Sequence, residues 1–452
     1  MLKVKGKRLY DGKGNEVILR GYNIGNWLML ENFMLGFPGV EQQFRYYMNK
    51  YGGLEKSRYF FESLAKSYID DKDVAFLKQM GCNVIRVPFN YRLFENDNEP
   101  YKYKPEGFKY IDYLIELCKK HEIYIILDMH ALPGYQNHDW HSDNETGHIG
   151  LFKEKTYQER TALLWQHIAE RYANEETIAG YDLMNEPEAN DDDVLILNSI
   201  YKYTTRLIRE VDKNHILFYK GNKHSTSFEG FETPFDDNSI YACHFYVDTS
   251  IIEFRVPGTV FNRMYDKRLL EKRMDELDSF MTRHNVPCFI GEYGIYDNVV
   301  AFDEKKKRIL GDLLDIFNER GHSWTGWSYK DIGNAGLVYP DPHSPWMQFT
   351  EKYFELKLKY HCDTDPTGYE NWLLVDILKP YIEEDFRNEY NELYLTLKNS
   401  ISKTFSNVLI ERFSRELSGF GYEKLEKHTD SFKFENCSIR EDWYKVIKSH
   451  LK

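Results

Sequence analysis

The chain has 452 residues and a mass of 54.0 kDa, with 42% hydrophobic residues, enough for one large barrel with an addition or for two or three average domains. Its 72 acidic against 59 basic side chains leave a net charge of −13 with no basic stripe, which argues against nucleic acid and membrane surfaces as partners. No apolar run reaches the length of a membrane span, no signal-like apolar segment opens the chain, and the six cysteines are dispersed without a CxxC pair. The expectation is a reduced cytoplasmic protein, or a secreted one if a signal has been removed.

In chain order, Arg8–Val17 carries a hairpin-turn signal (Asp11-Gly12-Lys13-Gly14-Asn15), read as a small β-hairpin cap on a barrel floor. From there to about residue 361, short β-branched or apolar runs alternate with longer amphipathic stretches. Strands are predicted at 17–23, 83–87, 124–128, 178–184, 215–219, 239–244, 288–291 and 324–328. Helices are predicted around 71–80, 106–121, 156–174, 194–212, 268–285, 303–320 and 347–361; the interval 220–238 has no obvious long helix. Eight parallel strands with crossover helices read as a (β/α)8 TIM barrel, an α/β fold spanning 1–361. A doubly wound open sheet is the alternative, but neither GxGxxG nor GKS/T is present to support it. Residues 362–452 read as a helical C-terminal extension packed on the barrel, with segments such as Asn371–Leu378 and Leu409–Phe413 showing the helical pattern.

Catalytic groups in such a barrel stand at the C-terminal ends of the strands. Taking the predicted ends in turn gives Asn23 and Asn26, Arg86, His130, Asn185 and Glu186, His244 and Tyr246, Glu292, and Trp327. Each has an ordinary structural explanation when taken alone. Together they are two carboxylates ringed by polar and aromatic groups, the minimum equipment for cleaving a glycosidic bond by acid/base and nucleophilic work.

On these residues the chain resembles the family 5 glycoside hydrolases, over roughly 15–340. The pieces are Asn185-Glu186-Pro187, Gly291-Glu292-Tyr293-Gly294, His244-Phe245-Tyr246, Arg86 in Val84–Pro88 and His130 in Asp128–His130. The resemblance implies a retaining hydrolase of β-glycosidic bonds with Glu186 as general acid/base and Glu292 as nucleophile. Arg86 and Tyr246 would hold Glu292 charged, while Glu186, repelled by Glu292, would keep its proton. Asn185, His130, His244 and Trp327 would line the sugar site. Ile24–Glu31 and Ala131–Asn137 are similar to segments of the exo-β-1,3-glucanase-type members, which makes Glu31 and Asn26 candidate substrate contacts. Asn26 stands where glycine is usual, and the continuation His138–Asn144 departs from that pattern.

The reading is therefore an O-glycosyl hydrolase with no metal and no cofactor, acting on a β-linked carbohydrate or glycoside. It is expected to be exo-acting on β-glucosides or short β-glucan oligosaccharides, because the long 33–70 and 131–155 insertions favour a blocked pocket. The alternatives are an endo-acting β-glucanase or β-mannanase, a non-catalytic carbohydrate-binding protein, and a metal site in the loop of His138, His141 and His148 with Asp139, Asp143 and Glu145.

Overall fold

The computed structural model of the protein describes residues 1–248, 266–296, 304–359 and 390–451. Eight parallel strands close into a barrel: β1 (Arg20–Asn23), β2 (Val84–Asn90), β3 (Tyr124–Ala131), β4 (Ile178–Asp182), β5 (Ile216–Lys220), β6 (Ser239–Asp248), β7 (Cys288–Tyr296) and β8 (Ser323–Gly326). β8 pairs with β1 through Trp324–Arg20, Thr325–Gly21 and Gly326–Tyr22, which completes the ring. All eight predicted strands are present. The first splits, however, with Val17 joining a cap and Arg20 beginning the barrel.

That cap is a three-stranded antiparallel sheet, one strand larger than a hairpin: Lys3–Lys5, Arg8–Tyr10 and Glu16–Val17. Its Leu2 and Leu9, with Leu19, are buried against Val84, Ile126, Ala179, Ile216, Phe218, Ile240 and Phe289. These apolar side chains plug the N-terminal end of the barrel, so the opposite rim is the open one.

Helices cover the outside: α1 (Glu41–Tyr68), α2 (Asp71–Met80), α3 (Phe108–His121), α4 (Lys155–Tyr172), α5 (Val194–Val211), α6 (Lys267–Leu277), α7 (Ser279–His284), α8 (Glu304–Glu319) and α9 (Pro345–Lys359). The β5–β6 connection holds only the turn Asn222–Ser225, whose Lys223, His224 and Ser225 are left-handed. The 28-residue α1 was read from sequence only as an insertion. Gly52-Gly53 sits in its middle, and Gly53 at φ +77° kinks it, so no single 3.6-residue stripe runs its length.

Beyond the barrel, α10 (Tyr390–Ser418), α11 (Tyr422–Thr429) and α12 (Glu441–His450) are helical. Phe413 of α10 packs within 4.8–6.1 Å, ring to ring, of Phe44, Trp346, Phe349 and Tyr353. A strand at Cys437–Ile439 pairs antiparallel with Val338–Pro340. The C-terminal helices thus share an apolar core with α1 and α9. The predicted segment Asn371–Leu378 and Cys362 lie outside the described residues. The other five cysteines are free thiols, and no helix among the described residues is long and apolar enough to cross a membrane.

Candidate active site

The geometry is built around Arg86, which enters the barrel from β2 and is fully buried. Arg86 donates four hydrogen bonds and makes a further ion pair. Nε donates to Asp182 (2.8 Å); Nη1 to Asn23 Oδ1 (2.9 Å) and Glu292 Oε1 (2.8 Å); Nη2 to Asn185 Oδ1 (2.9 Å), and Nη2 is also ion-paired with Asp128 at 3.0 Å. A planar guanidinium offers this fixed fork, which a lysine cannot reproduce. One side chain thereby sets the positions of groups from β1, β3, β4 and β7.

Glu292 is aimed by a register shift. β6 and β7 pair Cys243 with Ile290 and then His244 with Glu292, so Gly291 is passed over. A Cβ on Gly291 would lie 2.1 Å from Lys220 Nζ, which is why glycine precedes the carboxylate. Glu292 then accepts from Arg86 through Oε1 and from Tyr246 Oη (2.7 Å) through Oε2. Burial and the nearby Glu186 oppose its charge, but His244 and Arg86 outweigh them, and its carboxyl lies below the ordinary range.

Glu186 has a left-handed backbone (φ +44°), a conformation costing about 1–3 kcal/mol unless its surroundings enforce it. They do so through the loop after β3. Gln136 Nε2 donates to the Asn185 carbonyl (2.9 Å), and Asn137 Nδ2 donates to the Glu186 carbonyl (2.9 Å). The Pro133–Asn137 motif is therefore a clamp on the backbone of the acid.

Two histidines hold the carboxyl itself, at His244 Nδ1 (2.6 Å) and His141 Nε2 (3.0 Å). Lys220 Nζ sits 2.9 Å from His244 Nε2 and makes it the acceptor, which leaves the ring proton on Nδ1, facing Glu186 and, at 3.4 Å, Glu292. Burial holds His244 below its ordinary value, and its Nδ1 faces both glutamates.

Here the structure departs from the sequence expectation. Burial opposes ionisation of Glu186, but His244 and the hydrogen bond from His141 prevail, and the carboxyl is held well below its usual range rather than kept protonated by Glu292. His141 moves the other way: burial opposes its charge, but the hydrogen bond to Glu186 lifts it to about 9. One proton thus belongs to the Glu186–His141 pair and rests on the imidazole.

The remaining predicted residues frame the cavity. His130 stacks on Trp327 (5.4 Å between centroids, 10° between planes). Its Nδ1 donates to the Asp128 oxygen that is also ion-paired with Arg86, so its Nε2 is left to accept from Asn185 Nδ2 (3.3 Å). Glu31 lies 3.8 Å from His130 Nε2, buried, with Oε1 lacking a partner; burial first, then Glu292 and Glu186, push its carboxyl up to about 8 against the opposing pull of His141. Asn26, at φ +64°, uses its side-chain carbonyl to accept from the Glu31 N–H (3.0 Å). It shapes the segment presenting Glu31, and its own Nδ2 is buried without a hydrogen-bond partner among the described residues.

A carboxylate oxygen of Glu186, one of Glu292 and a nitrogen of His244 all lie within 4.8 Å of one another. Two carboxyls this close suit direct attack and covalent capture at a sugar carbon, roughly the 5–5.5 Å regime; an attacking water between them needs about 6.5–9.5 Å. The trio has the spacing of a cation site, yet both His244 nitrogens are already committed, one to a carboxylate and one to Lys220. In the histidine loop, His138 pairs with Glu188 and Asp139, His141 with Glu186, and His148 is exposed; Asp139 also binds His224.

Sequence reasoning missed Lys220, Asp182, Asp128 and the role of His141. Lys220 was one residue beyond the predicted end of its strand. Asp128 closed a predicted strand and Asp182 lay within one, but neither was weighed.

The sequence matches the family described as Cellulase (glycosyl hydrolase family 5) over residues 47–333. It is 35% identical to a β-xylosidase of Phanerodontia chrysosporium over 99% of this chain and 97% of that protein. It is 30% identical to endoglucanase C of Acetivibrio thermocellus over 67% of this chain and 95% of that one. Among solved structures, endoglucanase Cel5A of Thermotoga maritima superposes with a TM-score of 0.52 at 20% identity, covering 71% of this chain and 91% of the other, which is a likeness of fold.

Proposed function

The chain belongs to glycosyl hydrolase family 5 and is a glycoside hydrolase of β-glycosides; from that premise we propose that it is a retaining, exo-acting β-glycosidase in which Glu292 is the nucleophile and Glu186 the acid/base. The observation that carries the reading is the approach of the two carboxyls to within 4.8 Å about the shared His244.

In the first step the Glu292 carboxylate attacks the anomeric carbon while the glycosidic oxygen takes a proton from Glu186. The carbon–oxygen bond to the aglycone breaks and a glycosyl ester to Glu292 forms. Glu186 obtains that proton from His141 Nε2. Asn137 Nδ2, 2.8 Å from Nε2, then donates to the vacated nitrogen, so neither protonation state leaves it without a partner. In the second step Glu186 takes a proton from water, whose oxygen attacks the same carbon, and the proton returns to His141 Nε2. The ester breaks, and Glu292 returns to a carboxylate.

Exo action is supported by what closes the site beside these groups. Glu31 is buried with an unpartnered oxygen, a fit for sugar hydroxyls, and Trp327 with His130 offers an apolar platform. The loop after β3 is tied to α1 and to the segment after β2, because Asp143 accepts from the Gln42 N–H (2.9 Å) and from Arg92 (2.8 Å). A relative matching 99% of the chain is named a β-xylosidase, while the endoglucanase matches 67% of it.

Proton NMR of the first turnovers on a β-linked gluco-oligosaccharide tests both parts. Retention requires the β-anomer of the product at the earliest time, and exo action requires monosaccharide, or one fixed disaccharide, without internal fragments. Initial α-anomer overturns the double displacement. Early mixtures of internal fragments overturn the exo assignment in favour of an endo-glucanase.

A further inference from the structure

The match to the family ends at residue 333, yet a side chain from far beyond it reaches the active-site loop. Lys403, on α10, is 3% exposed. Its ammonium donates to the carbonyls of His138 and Asn144, both at 2.6 Å, and lies 5.3 Å from the centre of the Trp140 ring. Burial pulls it down to about 8, against the attraction of Asp139, Glu145 and Asp143. A buried cation held by two carbonyls and an indole face is an expensive way to fill space. What it grips is informative: the two carbonyls bracket the short stretch that carries His141.

From the barrel side the stretch is held at His138 by Glu188, at Asp139 by His224 and at Asp143 by Gln42. Asp143 is held by Asn90 and Arg92, and Ser142 and Asn144 bond back to the Asn137 carbonyl. His141 Nε2 faces Glu186 when it carries a proton and Asn137 Nδ2 when it does not. The anchor on the other flank comes from α10, whose own position is fixed by Phe413, Ile410 and Leu417 in the core shared with α1.

We propose that the C-terminal extension is a working part of the catalytic unit, with Lys403 as a positioning residue that holds the His138–Asn144 segment so that His141 keeps Glu186 supplied with its proton. The proposal rests on the assignment of Glu186 as the acid. It makes the extension neither a separate binding module nor a passive brace.

The test uses the full chain and two β-glycosides, one with a dinitrophenyl leaving group that needs no proton and one with an alkyl leaving group that does. Lys403→Met should lower kcat for the alkyl substrate by about 10-fold or more while changing the dinitrophenyl substrate less than about 3-fold. Lys403→Gln, which keeps a donor, should fall between. In a His141→Ala background, Lys403→Met should add no further leaving-group dependence, because it acts through the missing ring. Equal losses on both substrates, or an added effect in the His141→Ala background, overturn the proposal. Glu186→Ala, run in parallel, separates the two readings. If Glu186→Ala shows leaving-group dependence and Lys403→Met does not, only the positioning role fails; if neither shows it, the acid assignment fails first.

Discussion

Tyr246→Phe isolates one bond on the proposed nucleophile. The Tyr246 hydroxyl donates to Glu292 Oε2 at 2.7 Å, and phenylalanine keeps the ring while deleting that donor. A hydrogen bond to a charged group contributes about 1.5–3 kcal/mol, and one pKa unit corresponds to about 1.4 kcal/mol, so Glu292 should rise by about 1–2 units. Arg86 at 2.8 Å remains, which is why the shift should not be larger. The sign follows from the chemistry: activity requires Glu292 ionised, Tyr246 stabilises that form, and its loss moves the acid limb of the kcat/KM profile to higher pH. The alkaline limb, which reports the proton of the Glu186–His141 pair, should stay in place. The assay is the pH dependence of aryl β-glycoside hydrolysis, paralleled by the rate of covalent inactivation by a 2-deoxy-2-fluoro glycoside, which needs the nucleophile alone. An acid limb that stays put or moves down in both measurements would show that Glu292 is not the group being titrated, and the reasoning would be wrong.

Glu292→Ala should lower kcat by at least about 10³-fold, and added azide should restore turnover as the α-glycosyl azide; a β-azide product would reassign the nucleophile. His141→Ala should move the alkaline limb to lower pH, because the imidazole that holds the pair's proton up to about 9 is gone; a pH–rate profile unchanged above neutrality would remove His141 from the acid function. Gly291→Ala places a methyl 2.1 Å from Lys220 Nζ, whose ammonium is fixed between His244 and Asp182, and should destabilise the fold by about 1–3 kcal/mol, read as a lowered melting temperature; an unchanged one would mean Lys220 is free to move.

The barrel was legible because buried parallel strands are short apolar runs ending in polar residues, and Ile178–Asp182 and Cys288–Gly291 have that form whatever surrounds them. The two glutamates were legible for the same reason, as each follows such a run directly. What the sequence hid were relations between residues distant along the chain. His141 occupies a loop rich in histidines and acids, where local spacing suggests a metal as readily as a proton relay. Only the fold brings it to 3.0 Å from a carboxylate forty-five positions later. The protonation of Glu186 was misjudged because the nearest visible charge was Glu292, whereas two imidazoles, one fixed as a donor by Lys220 at 2.9 Å, set the balance. Lys403 was further out of reach: a lysine in an amphipathic helix reads as a solvated charge, and nothing local marks it as buried. Its contact depends on the packing of α10 against α1, itself concealed by Gly52-Gly53. The chemistry-bearing residue types are therefore readable where a strand delivers them, whereas the groups that set their protonation come from loops and from a distant helix, and those are specified only once the apolar faces have found one another.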